Sequence, residues 1–180
     1  MKHKFILMFF VLIISTNNYG QDEQKIYCQI LTEFVFNTSP FTNDSITLVL
    51  RDTPLYLSLL DDYNNLKINY KKLEKQTFNN FIQRRNQKIE KLDFINIWSD
   101  IIIIDNKQIL DKHEFLLKHP NWNLWILEFS KIGFNEQRNQ ALVYYGFETE
   151  ARTGGGVYII LKKKRNGKWK IKKKIPSWAS

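Results

Sequence analysis

The sequence predicts an α+β fold in which an antiparallel meander, drawn from the last third of the chain, packs against N-terminal and central helices. Three observations carry that expectation. Apolar residues recur at steps of three and four from Asp22 to Phe36, the period of an amphipathic helix. Trp125, Leu127 and Phe129 alternate at spacing two within Leu124 to Ile132, as in a half-buried strand. From Ala141 to Ile175, β-branched and aromatic runs are separated by turn residues and close on Arg165-Asn166-Gly167. A composition of 43% hydrophobic and 25% charged residues over 180 positions is that of a globular protein rather than a disordered one.

The chain opens with a leader pattern. Lys2 and Lys4 precede an unbroken apolar run of ten residues, Phe5 to Ile14, and Ser15 to Gly20 turns small and polar. As a helix the run is about 15 Å long, too short for a bilayer core of roughly 30 Å. That length fits a secretory signal peptide, expected over residues 1–20 with cleavage after Gly20 and a single α+β domain over 21–180. If the leader stayed uncleaved, it would be the chain's one contact with a membrane. No cysteine follows it to take a lipid. The expected location is therefore secreted or periplasmic. Cys28 is the only cysteine, so no internal disulfide can form, and its place on an amphipathic helix favours burial.

Taken in order, the elements are these. Ile26, Tyr27, Ile30, Leu31, Phe34 and Val35 define the inner face of the first helix, with Asp22 and Glu23 placed favourably at its start. Ile46 to Leu50 is strand-like, and Pro54 interrupts before a less regular Leu55 to Leu60. Asp61 to Leu73 reads as a helix carrying Tyr63, Leu66, Tyr70 and Leu73 on one side. Thr77 can cap a further short helix with Phe78, Phe81 and Ile82, and Arg84 to Lys91 is polar. The run Trp98 to Ile104, with four consecutive isoleucines, is a buried strand by length and branching. Asp105 and Gln108 form a capping box for a helix over Lys107 to Lys118, which Pro120 ends. Strands follow at Leu124–Ile132, Ala141–Phe147, Val157–Lys163 and Lys168–Ile175, and Glu148 to Gly156 is the longest loop between them.

The last hairpin allows a register to be derived. A two-residue Asn166-Gly167 turn would set Trp169 against Lys164. A three-residue loop with Gly167 left-handed pairs Lys163 with Trp169 and Leu161 with Ile171 instead. The second register gathers Val157, Ile159, Leu161, Trp169, Ile171 and Ile175 on one face, with Ile159 meeting Lys173 and Val157 meeting Ile175. Burying each aliphatic side chain is worth about 1.5–3 kcal/mol, so face matching outweighs turn preference. The other face then sets Lys162 against Lys170 and Lys164 against Lys168, like-charge pairs that cost about 0.2–1 kcal/mol each.

The run Phe129-Ser130-Lys131-Ile132-Gly133-Phe134-Asn135, then Gln140-Ala141-Leu142-Val143-Tyr144, a Gly-rich segment, Asn166-Gly167-Lys168-Trp169 and Trp178-Ala179-Ser180 resembles a group of small secreted bacterial proteins of uncharacterised function. The resemblance covers Trp122 to Ser180. The Asn-Gly-Lys-Trp hairpin is similar to hairpins of secreted domains with nuclear-transport-factor-2-like and cystatin-like folds, which makes those two folds expectations for the chain. Members of the group carry a cysteine pair near the Gly-rich loop that this chain does not have. The resemblance implies no activity and no catalytic residues.

Charge is local. The nine cations between Lys162 and Lys174 have no acid among them and equal the formal charge of the whole chain, +9; with Lys2 and Lys4 set aside the remainder is slightly acidic. Lys162, Lys164, Arg165, Lys168, Lys170 and Lys172 are thus the candidate contact residues for an anionic glycan, lipopolysaccharide or an acidic protein. Export and the lack of a known binding motif argue against nucleic acid. The competing reading is a lysine-rich edge that guards against aggregation.

Catalytic signals are sparse. His113-Glu114 lacks a second histidine four residues on, and no His or Cys cluster suggests a metal. Gly154-Gly155-Gly156 leads into a strand rather than the helix a phosphate loop needs. No cofactor is expected. Glu148, Glu150 and Arg152 are candidates for the rim of a pocket, and Glu128, opposite in parity to Trp125, Leu127 and Phe129, is expected to face solvent. The leading expectation is a non-enzymatic binding module. The alternatives are a small hydrolase using Glu148 or Glu150, and an immunity or inhibitor protein.

Overall fold

The computed structural model describes residues 20–36, 46–51, 54, 63–89, 102–104, 123–149 and 153–179. The chain forms two compact units, residues 1–42 with 92–98, and residues 43–91 with 99–180. In the first, helix α1 runs over residues 20–31 and continues as a π-helical turn, Thr32–Phe36. Ile26, Tyr27, Ile30 and Leu31 are buried as the spacing requires. The Thr32 hydroxyl donates to the Cys28 carbonyl at 2.9 Å, a back-bond that loosens the helical ladder where the wider turn begins. Cys28 is half-buried and free, and burial raises its thiol pKa against the lowering from its own backbone contact.

The second unit is a mixed, mostly antiparallel sheet packed with helices, an α+β architecture. Its strands are β1 (Ile46–Arg51), β2 (Ile102–Ile104), β3 (Asn123–Phe129), β4 (Gly133–Phe134), β5 (Gln140–Thr149), β6 (Gly154–Lys163) and β7 (Trp169–Ala179). Their order is β2-β1-β3-β5-β6-β7, with β4 alongside β5. β1 pairs in parallel with both β2 and β3, and every later pairing is antiparallel. The meander expected from the sequence is therefore present, extended by two strands, β1 and β2, that run parallel to β3.

Helices α2 (Tyr63–Asn69) and α3 (Lys75–Arg84) cover one face of the meander. Leu66, Leu73, Phe78 and Phe81 form one buried cluster with Leu142 and Tyr144 of β5, Tyr158 and Ile160 of β6, and Ile175 of β7. Tyr63 and Tyr70 pack against it, although α2 ends at Asn69 rather than at the expected Leu73, so that Tyr70 and Leu73 reach the cluster from the turn that follows. On the opposite face Trp125, Phe147, Tyr145 and Phe129 make a ladder of rings, with centroids 5.9, 6.2 and 5.0 Å apart in turn. The alternation of Trp125, Leu127 and Phe129 is realised there.

Several expectations are corrected. α3 starts at Lys75, with Glu74 as its N-cap residue, and Thr77 lies fully buried inside its first turn. A tertiary bond sets that start: the Glu74 amide donates to Gln140 Oε1 at 2.8 Å. The loop placed at Glu148 to Gly156 is shorter, because β5 runs on to Thr149 and Glu148 pairs with Gly154. Residues 1–19 of the leader, Leu55–Leu60, Trp98–Ile101 and the helix over Lys107–Lys118 lie outside the described residues.

The segment between β3 and β5 shows why its residues occur together. The Ser130 amide donates to the Tyr144 carbonyl at 3.1 Å and its hydroxyl accepts from the Tyr144 amide at 2.9 Å, bridging the gap between β3 and β4 on the edge of β5. At Gly133 an added Cβ would overlap the backbone of Phe81, so glycine lets α3 lie directly on β4. Asn80 Oδ1 accepts from the Phe134 amide at 2.9 Å, and Arg84 donates to the Ile132 carbonyl at 2.7 Å. The motif that carries the resemblance is, in this chain, a seat for α3.

Candidate functional site

The β6–β7 hairpin forms as derived at its tip. Lys164 and Lys168 close a three-residue loop, with the Lys164 amide donating to the Lys168 carbonyl at 2.8 Å, and Gly167 has φ +78°. Lys163 pairs with Trp169, Lys162 with Lys170, and Leu161 with Ile171. Beyond Leu161 the register departs from expectation. Lys172 is an extra residue on β7, so Ile160 meets Lys173, Ile159 meets Lys174 and Tyr158 meets Ile175. A bulge of this kind reverses the parity of the strand residues beyond it. It delivers Ile175 to the face covered by α2 and α3, where burial rewards it, rather than to the side of Leu161.

The cations divide by surroundings. Lys164, Arg165, Lys168, Lys170, Lys172 and Lys173 are exposed. Lys163 lies over the Trp169 ring, 5.5 Å from its centroid, and Trp169 packs on Phe134 at 5.7 Å, itself covered by Arg138 at 4.2 Å. Trp169 is buried, so its ring is no stacking platform. Lys162 donates to Glu74 Oε1 at 2.9 Å in an ion pair left partly open to water. The other carboxylate oxygen of Glu74 accepts from Asn135 Nδ2 at 2.7 Å. Burial alone would raise the Glu74 carboxyl pKa; the hydrogen bonds from Asn135 and Lys162, with the charges of Lys162 and Lys67, outweigh it and hold the group below its ordinary value. Asn135 Oδ1 accepts from the Asn139 and Gln140 amides, and Gln140 Nε2 donates to the Lys72 carbonyl at 3.0 Å. These bonds clasp the α2–α3 turn to the start of β5.

A second polar group lies where β1, β3 and β5 adjoin. Arg51 faces Glu128 at 3.1 Å and Glu148 at 3.6 Å, with the Arg51 and Glu128 side chains almost wholly buried. Glu128 is 1% exposed, which overturns the expectation that it faces solvent. The reason is visible in its strand: Ile126 and Leu127 are both buried, so β3 is covered on both faces and alternation no longer separates inside from outside. Next to this pair, Gly146 and Gly156 leave a furrow in the sheet. A Cβ at Gly156 would overlap both Trp178 and the Tyr144 hydroxyl, and Trp178 Nε1 donates to that hydroxyl at 2.7 Å. Burial, with the charges of Glu128 and Glu148, pushes the Tyr144 phenol well above its usual range against the lowering from Trp178, so it stays protonated.

Of the pocket-rim candidates, Glu148 sits in strand β5 beside Arg51, and Glu150 and Arg152 fall outside the described residues. Among the described residues no three His, Cys, Asp or Glu side chains converge on a point that could hold a metal ion, and no helix is long and apolar enough to cross a membrane. His113 and residues 1–19 lie outside them. Arg51, Glu74 and Asn135 were not singled out from the sequence. Only the two-faced burial of β3 was open to inference there, from the consecutive apolar residues Leu124 to Leu127. No family model, no curated protein and no solved structure matches this chain.

Proposed function

We infer that this chain is an exported, non-enzymatic binding module that holds an anionic glycan through the side chains of the β6–β7 hairpin. The observation that carries the reading is the cross-strand pairing of Lys162 with Lys170, in a hairpin of nine cations and no acid. Guarding an edge calls for charge on the strand, not for like charges set directly opposite one another. A density that sets like charges directly opposite one another costs stability, and Glu74 offsets the charge of Lys162 alone in that pair.

The surroundings favour a glycan over other anions. β7 pairs with β6 alone among the described residues, carries Pro176 and is bulged at Lys172 and Ser177, features that oppose the addition of an acidic peptide as a further strand. Ile68 is the only large apolar side chain exposed among the described residues, which leaves the hairpin without an anchor for a lipid surface. The burial of Trp169 removes the stacking that nucleic-acid bases would use. The lysine-led apolar run Phe5–Ile14 supports export.

The test is retention on immobilised heparin. Replacing Lys164, Lys168, Lys170 and Lys172 by serine should abolish retention at about 0.15 M salt while leaving circular dichroism and thermal midpoint unchanged. Lys162 is kept in this variant, because its bond to Glu74 belongs to the clasp. Unchanged retention would sink the proposal.

A further inference from the structure

The Glu74 carboxylate is placed as an anion on the hairpin, and the backbone around it is also held by bonds that do not involve it. The α3 helix begins without it: Glu74 makes no side-chain cap hydrogen bond, and its amide is held by Gln140. The Asn135 turn keeps its own bonds to Asn139 and Gln140. Among the described residues the carboxylate bonds only Lys162 and Asn135 Nδ2, with 30% and 38% of the Lys162 and Glu74 side chains open to solvent. An ion pair that exposed is held weakly and exchanges readily. Beside it stand Lys162 and the charge of Lys67, and Lys162 is paired across the hairpin with Lys170. One internal carboxylate therefore sits amid several cations on the surface read above as the glycan contact.

We propose that Glu74 is a built-in competitor: its carboxylate occupies, in the free protein, the seat that one anionic group of the glycan takes at Lys162. This rests on the hairpin reading. Binding then displaces Glu74 from Lys162 while the Gln140 and Asn139 bonds hold α3 and the β4–β5 turn in place. The device sets a threshold. A single small anion gains too little to displace the carboxylate, whereas a polyanion already engaged at the exposed hairpin cations presents its next group at high local concentration.

The experiment compares heparin affinity across a salt series for wild type, Glu74→Gln and Glu136→Gln. Glu136 is an exposed acid on the β4–β5 turn, so its variant makes the same change in net charge without removing the carboxylate that Lys162 bonds. Glu74→Gln should bind about two- to fivefold tighter, and its slope of log affinity against log salt should steepen by up to about 0.9, the share of one more engaged cation. Glu136→Gln should do neither, and adding Lys162→Gln to Glu74→Gln should cancel the gain. A second comparison avoids touching Glu74: in the wild type, Lys162→Gln should reduce the slope clearly less than Lys170→Gln, since Lys162 begins neutralised. Equal effects of the two glutamate variants, or of the two lysine variants, would overturn the competitor role and leave the hairpin reading standing. Failure of the wild type to bind heparin at all would remove the hairpin reading and this inference with it.

Discussion

Glu128 and Gly156 are the residues whose substitution separates this structure from any arrangement in which the same strands merely stack. Glu128 lies almost fully buried against Arg51. Changing it to Gln removes the charge and keeps the shape, leaving a buried guanidinium with Glu148 as its more distant partner. Breaking a buried pair on one side costs about 3–5 kcal/mol, and the remaining contact places Glu128→Gln toward the low end; urea unfolding measures it. Gly156→Ala forces its methyl into Trp178 and Tyr144 and should cost about 1–3 kcal/mol, the usual penalty for overpacking, with a change in the fluorescence of Trp178 as its ring is displaced. Both residues could be seen in the sequence and neither could be interpreted there. The burial of Glu128 depends on what covers the second face of β3. The need for glycine at 156 depends on a tryptophan that arrives from β7, over twenty positions later.

At the scale of elements, legibility tracks how local the cause is. The hairpin loop was readable because Gly167 and the matching of faces act within a dozen residues. There Gly167→Ala, at φ +78°, should cost roughly 1–2 kcal/mol through the left-handed penalty alone. The bulge at Lys172 was not readable, because what it accommodates is the burial of Ile175 against α2 and α3. The start of α3 was misplaced for the same reason: Gln140, 66 positions away, holds the Glu74 amide, and local capping rules see only the hydroxyl of Thr77. The parallel pairing of β1 with β2 and β3 left no mark on the strands themselves, since parallel neighbours are chosen by crossover connections. The clasp also makes a pH prediction. The folded Glu74 carboxyl lies below its ordinary value of 4.5. The unfolded chain therefore takes up its proton first, and the stability that Glu74 contributes is complete above 4.5 and lost as pH falls through the folded value. Acid titration of the thermal midpoint should accordingly fall less steeply below pH 4.5 in Glu74→Gln than in the wild type.

At the scale of the molecule, the charge distribution is the feature most plainly written in the sequence, and the structure refines it. The nine cations of Lys162 to Lys174 do not form one uniform patch. Lys162 is engaged by Glu74, Lys163 lies on Trp169, and exposed cations gather at the loop and along the outer strand. Trp169 serves the core, on the inner face that the derived register gave it. The most direct check is a backbone amide NMR titration of the protein with a short heparin oligosaccharide. The account predicts that the largest shift changes fall within Lys162 to Lys174, with a smaller set at Glu74 and Asn135. Changes centred on Glu128, Tyr144 and Trp178, or none beyond those from added salt, would contradict it.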